Sequence, residues 1–165
     1  MKLIARNAED KRAYELATEL LSAHFDIDFS RLKEVRIQKT FSKADLPAGA
    51  LGCCKGNYVF IHGIGSQGQS FGTVDFKTLV NVIMHELIHV WQEQNEAFAD
   101  TDDWTEDHDG YRNRGNEIHA RFASGYLLAV QELKDGELSQ GLFDKCFREE
   151  HLSVEWAKAK SLAKR

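Results

Sequence analysis

The segment Phe76–Gln92 constrains this chain more than any other. It contains no proline or glycine, and Leu79, Val82, Ile83, Leu87 and Val90 recur at the three- and four-residue steps of one helix face. A helix this apolar has to be packed into a core, yet it carries His85-Glu86-Leu87-Ile88-His89. Ionisable groups do not sit in such a place without partners. Two histidines four apart project from the same face, one turn above the other, so both imidazoles can reach one metal ion. Glu86, beside the first histidine, is placed to hold a water at the metal rather than the metal itself. The competing reading is a pair of histidines satisfied by ordinary hydrogen bonds. Zinc is the favoured ion because imidazole plus carboxylate suits it, although the spacing alone admits other divalent ions.

A catalytic zinc needs a third protein ligand and an open position. Three candidates stand downstream: His108, Glu117 and His119. The pattern predicts a helix from about Asn116 to Lys134, ending near Gly136, with Phe122, Ala123, Tyr126, Leu127 and Val130 on its apolar side. Glu117 falls in the first turn, where the helix end favours a carboxylate, so it could serve that end alone. His119 is two residues on and points to a different side. His108 sits in an acidic, glycine-containing loop that also holds Tyr111. His108, Tyr111 and Arg112 are candidates for a donor to the oxyanion formed in carbonyl chemistry.

Two family resemblances attach to these residues. His85 and His89 with Glu117 resemble the glutamate-zincin arrangement, and Asn116-Glu-Ile-His-Ala-Arg-Phe-Ala-Ser-Gly-Tyr-Leu-Leu128 is similar to the ligand helix of the ImmA/IrrE-type peptidases. That resemblance covers about residues 79–130 and implies Glu117 as third ligand; the Met-Pro that usually follows the paired leucines is absent. The SprT-like metalloproteases are the second resemblance, through His-Glu-x-x-His followed by Trp91-Gln92 and through Gly110-Tyr-Arg-Asn113. There Arg112 stands where the family has its histidine ligand, so His108 or His119 would have to substitute. The run Leu46–Ile61 is loosely similar to the strands that precede the metal helix in that family.

The rest of the chain bounds these expectations. At 165 residues it is long enough to bury one sizeable core, and residues 1–165 read as a single domain. Net charge is −5, which does not indicate a protein whose main task is tracking phosphates. The basic tail Lys158–Arg165 suits a helix C-terminus. Cys53, Cys54 and Cys146 form no disulfide framework, and the first two would alternate sides on a strand, which favours packing roles. No apolar run is long enough to span a membrane and no apolar leader opens the chain, so a cytoplasmic setting is expected.

Residues 8–24 read as an amphipathic helix capped by Asn7, with Ala13, Leu16, Ala17, Leu20 and Leu21 inward. Val35–Phe41 and Tyr58–His62 read as strands, with Gly49, Gly52 and Gly56-Asn57 as turns. The Gly63–Gly72 loop lacks the residues of a phosphate cradle and reads as a flap or connector. A last helix is expected over about 139–162, packed by Leu142, Phe143, Cys146, Phe147, Val154 and Trp156. The expectation is an α+β, zincin-like domain: a small antiparallel or mixed sheet against the metal helix and further helices. By the zincin resemblance, Tyr58–His62 would be the rim strand that receives a peptide; as plain structure it would be an interior strand. The implied activity is zinc-dependent peptide-bond hydrolysis, with Glu86 as general base and a polypeptide as substrate. The alternatives are a SprT-like protease acting on DNA-bound proteins, a non-catalytic zinc-containing domain that binds DNA or protein, or an interaction domain without metal.

Overall fold

The computed structural model describes residues 1–68, 72–97 and 115–147. Among them the architecture is α+β: a four-stranded mixed sheet, a small hairpin and four α-helices. In chain order these are β1 (Lys2–Ala5), α1 (Ala8–Ser22), β2 (Glu34–Gln38), β3 (Gly52–Lys55), β4 (Tyr58–His62), β5 (Gln67–Gly68), β6 (Gly72–Thr73), α2 (Phe76–Gln94), α3 (Gly115–Lys134) and α4 (Gln140–Phe147). No helix among the described residues is long and apolar enough to cross a membrane.

The sheet order is β1-β2-β4-β3. β1 and β2 are parallel and joined through α1, as parallel neighbours need a crossover, and β2 is parallel to β4. β3 turns back antiparallel on β4 through Gly56-Asn57, pairing Lys55 with Tyr58 and Gly52 with Ile61. Gly56 opens that two-residue loop at φ +56°, a conformation glycine adopts without steric cost. β3 is therefore an edge strand, as β1 is on the other side, and β4 an interior one, so the rim reading of Tyr58–His62 is corrected. The reason is that Gly52, expected to be a turn, begins a strand that occupies the flank of β4.

Alternation splits the sheet into two faces. Val35, Ile37, Val59 and Ile61 are fully buried toward the helices, in one core with Ala13, Ala17 and Leu21 of α1. The outer face carries Arg36, Tyr58 and Phe60, with Phe41 against Phe60 and His62. Asn7 caps α1 by accepting from the Asp10 N–H at 2.8 Å. Asp10, read only as a helix-end charge, is fully buried: it takes Arg6 Nε at 3.0 Å and the Ile64 N–H at 3.1 Å, tying α1 to the segment after β4.

α2 runs through the middle of this core. Asp75 caps it by accepting from the Thr78 N–H at 2.7 Å. Leu79, Val80, Ile83, Met84, Leu87 and Ile88 are fully buried, each contributing roughly 1.5–3 kcal/mol relative to exposure. α1 and α3 pack against it, α3 through Ala120, Ala123 and Leu127. The expected last helix is present as α4, where Phe143 meets Tyr126 at 5.9 Å, but Leu142 and Cys146 are exposed rather than packed. Val154, Trp156 and the basic tail lie outside the described residues, and β5 and β6 pair as a hairpin within the expected flap.

Candidate metal centre

α2 presents His85 and His89 one turn apart, and α3 brings Glu117 across to them from its first turn. The three side chains form a group whose ligating atoms all lie within 4.8 Å of one another. His85 Nε2 and His89 Nε2 are 3.1 Å apart; Glu117 Oε1 lies 3.1 Å from His89 Nε2 and Oε2 lies 3.3 Å from His85 Nε2. The edge of a tetrahedron around an ion with ligands at about 2.0–2.1 Å is about 3.3 Å, so these spacings fit a small divalent ion with few adjustments. Such a group could hold a metal ion. Side-chain exposure falls from 23% at His85 to 14% at His89 and 8% at Glu117, so solvent reaches the group from the His85 side.

The electrostatics are those of a buried, mutually dependent cluster. Burial opposes charge on Glu117, but the hydrogen bonds to His85 and His89 outweigh it and hold this carboxyl far below the usual range. Burial likewise depresses His89, yet the hydrogen bond to Glu117, the charge of Glu86 and the bond to Gln92 raise it to about 9. His119 is pushed down to about 4 by burial and by the neighbouring His89 charge.

Glu86 is not one of the three grouped ligands and lies against the sheet. It is buried, and burial pushes its carboxyl up, opposed by the charges of His85 and His89 and by a hydrogen bond from the Cys54 backbone. Edge strand β3 lies directly against it. A Cβ at Gly52 would stand 2.7 Å from both Glu86 Cγ and Oε1 and 2.9 Å from Val82 Cγ1. Glycine is needed there for space, because any side chain collides with this carboxylate. Gly52→Ala is accordingly expected to destabilise the fold by about 1–3 kcal/mol and to displace Glu86, read by denaturant midpoint and by turnover. Wild-type stability in that variant would show that β3 does not hold Glu86.

The remaining sequence candidates fall elsewhere. His119 is fully buried, with its ring edge-on to Phe25 at 5.9 Å, against Trp91 at 5.8 Å, and its Nδ1 2.7 Å from Gln92 Nε2; it does not join the ligand group. His108, Tyr111 and Arg112 lie outside the described residues. Cys53 and Cys54 are free and half-buried, each raised by burial and then by the Glu86 charge. Two contributors were missed in the sequence: Gly52, taken as a turn, and Gln92, noted only as part of Trp91-Gln92. Gln92 was within reach, since it stands three residues beyond His89 on the same helix face. Comparison of the chain with protein-family models, curated proteins and solved structures yields no match.

Proposed function

We propose that the chain is a zincin-like, zinc-dependent metalloprotease. In this reading His85, His89 and Glu117 hold the ion and Glu86 is the general base. The observation that carries the reading is the convergence of two imidazoles and a carboxylate beside a separate buried carboxylate on the same helix. Zinc is the favoured ion by donor chemistry. When bound, it would supply Lewis-acid polarisation of a carbonyl and make hydroxide accessible near neutral pH.

This chain's residues supply the rest. Glu86 takes a proton from the attacking water as the oxygen–carbon bond forms and returns it to the amine as the carbon–nitrogen bond breaks. Burial favours the protonated form of Glu86, which suits a group that must accept and then release a proton. An extended polypeptide would pair with the backbone edge of β3 turned away from β4, which among the described residues pairs with no other strand. Tyr111 and His108 stay candidates for the oxyanion donor.

The direct test is cleavage of an unfolded polypeptide such as casein, abolished by a chelator and restored by zinc. Metal binding without turnover would favour a zinc-containing binding domain, and turnover only with single-stranded DNA would favour the SprT-like variant.

Proton linkage gives a further expectation. Without metal, His89 keeps its proton up to about pH 9. Metal uptake must therefore release a proton, and affinity should rise about tenfold per pH unit from neutrality up to that value before levelling off. The same raised pKa stabilises the metal-free fold below the ordinary histidine value and is lost as pH rises through about 9. Calorimetric titrations in two buffers of different ionisation heat would count the protons; an affinity flat between pH 7 and 9 would contradict the His89–Glu117 pairing.

A further inference from the structure

Gln92 is 4% exposed, and the proposed chemistry does not use it. Its amide has one acceptor oxygen and two N–H donors. Nε2 lies 2.9 Å from the Asn116 carbonyl oxygen and 2.7 Å from His119 Nδ1, while Oε1 lies 2.8 Å from His89 Nδ1. These three contacts have only one consistent set of hydrogens. The Asn116 carbonyl can only accept, so the nitrogen end of the amide must face α3; turned over, two oxygens would meet at 2.9 Å. The oxygen end then faces His89, and an oxygen can only accept. Gln92 Oε1 therefore draws the His89 hydrogen to Nδ1, while Glu117 Oε1 draws it to Nε2; a cation held at Nε2 decides for Nδ1. In that form the lone pair is on Nε2, the atom 3.1 Å from both His85 Nε2 and Glu117 Oε1.

We infer that Gln92 is a positioning residue for two of the three ligands: it holds the ring direction of His89, favours its Nδ1–H form and ties down the first turn of α3, which carries Glu117. Asn116 immediately precedes Glu117, so the bond to its carbonyl holds the backbone that presents the carboxylate. His119 completes the clamp from the opposite side, its own ring held between Phe25 and Trp91. One amide thereby couples the docking of α3 on α2 to the orientation of an α2 ligand, and a partner of this kind is worth about 10–100-fold in metal affinity. The role in metal affinity rests on the proposed zinc site; the orientation of the Gln92 amide does not.

The test uses the full chain and two readouts. The first is a long-range nitrogen–proton spectrum of the wild-type histidine rings, zinc-loaded and, separately, metal-free. The clamp requires the Nδ1–H form of His89 with zinc and, in both states, the Nε2–H form of His119, whose Nδ1 accepts from Gln92; an Nδ1–H form of His119 would overturn it. The second compares wild type with Gln92→Met, a side chain of similar size without donors or an acceptor, by zinc competition against a chelating dye. The expected result is affinity weakened about 10–100-fold, with the His119 signal shifted in the metal-free spectrum. Unchanged affinity would overturn the inference. Should Gln92→Met fail to fold, the wild-type spectrum decides. Should wild type take up no zinc, the proposed function falls, while the metal-free spectrum still confirms or refutes the clamp.

Discussion

Glu86→Gln is expected to leave metal content at the wild-type level and to reduce peptide hydrolysis by about 10²–10⁴-fold, the usual contribution of a positioned general base. The exchange is close to isosteric, which matters because Glu86 lies so close to Gly52 that a Cβ there would stand 2.7 Å from it. A glutamine oxygen can still accept the Cys54 backbone hydrogen bond. What is lost is the ability to take a proton from water. Removing a buried carboxylate whose ionised form is penalised by burial should also leave the fold no less stable. Metal content by elemental analysis and the cleavage rate measured on the same sample separate the two roles. Full activity would show that Glu86 is not the base, and loss of the metal would show that it is a ligand.

Glu117→Ala is expected to lower zinc affinity by more than the 10–100-fold that an outer partner is worth, because it removes a direct donor and leaves two imidazoles. A second effect should appear without any metal. His89 stands at about 9 because Glu117 overcomes the cost of burial. With the carboxylate gone, burial acts with less opposition and the ring should titrate well below that value. Nuclear magnetic resonance titration of His89 in the metal-free protein reads this directly. A His89 pKa unchanged by the substitution would mean that the two side chains do not meet, whatever zinc does.

Features set by local chemistry were legible in the sequence, and features set by long-range pairing were not. The helices at 8–24, 76–92 and 116–134 follow from apolar periodicity and capping, and each lies within a few residues of its expected bounds. Glu117 could be nominated from its place in a first turn, but only the packing of α3 on α2 brings it to His85 and His89. β1 went unread because Lys2–Ala5 has too few residues for alternation to register, and it becomes a strand by pairing with β2. The identity of the edge strand was also hidden. Gly52 reads as a turn residue, yet it is a strand residue chosen for lack of a side chain, a constraint imposed by Glu86 more than thirty positions away. Asp10 is a similar case: its sequence neighbours suggest a solvated helix end, while Arg6 and the Ile64 N–H allow it to be buried.

The claim beneath all of this is that two turns of α2 and the first turn of α3 close on a divalent ion. Anomalous diffraction at the zinc edge, from crystals of protein supplied with zinc, tests it most directly. The account predicts one strong peak about 2.0–2.1 Å from His85 Nε2, His89 Nε2 and a Glu117 oxygen, with a fourth position open toward solvent. No peak at those side chains, in protein that elemental analysis shows to be metal-free after zinc is offered, would contradict it.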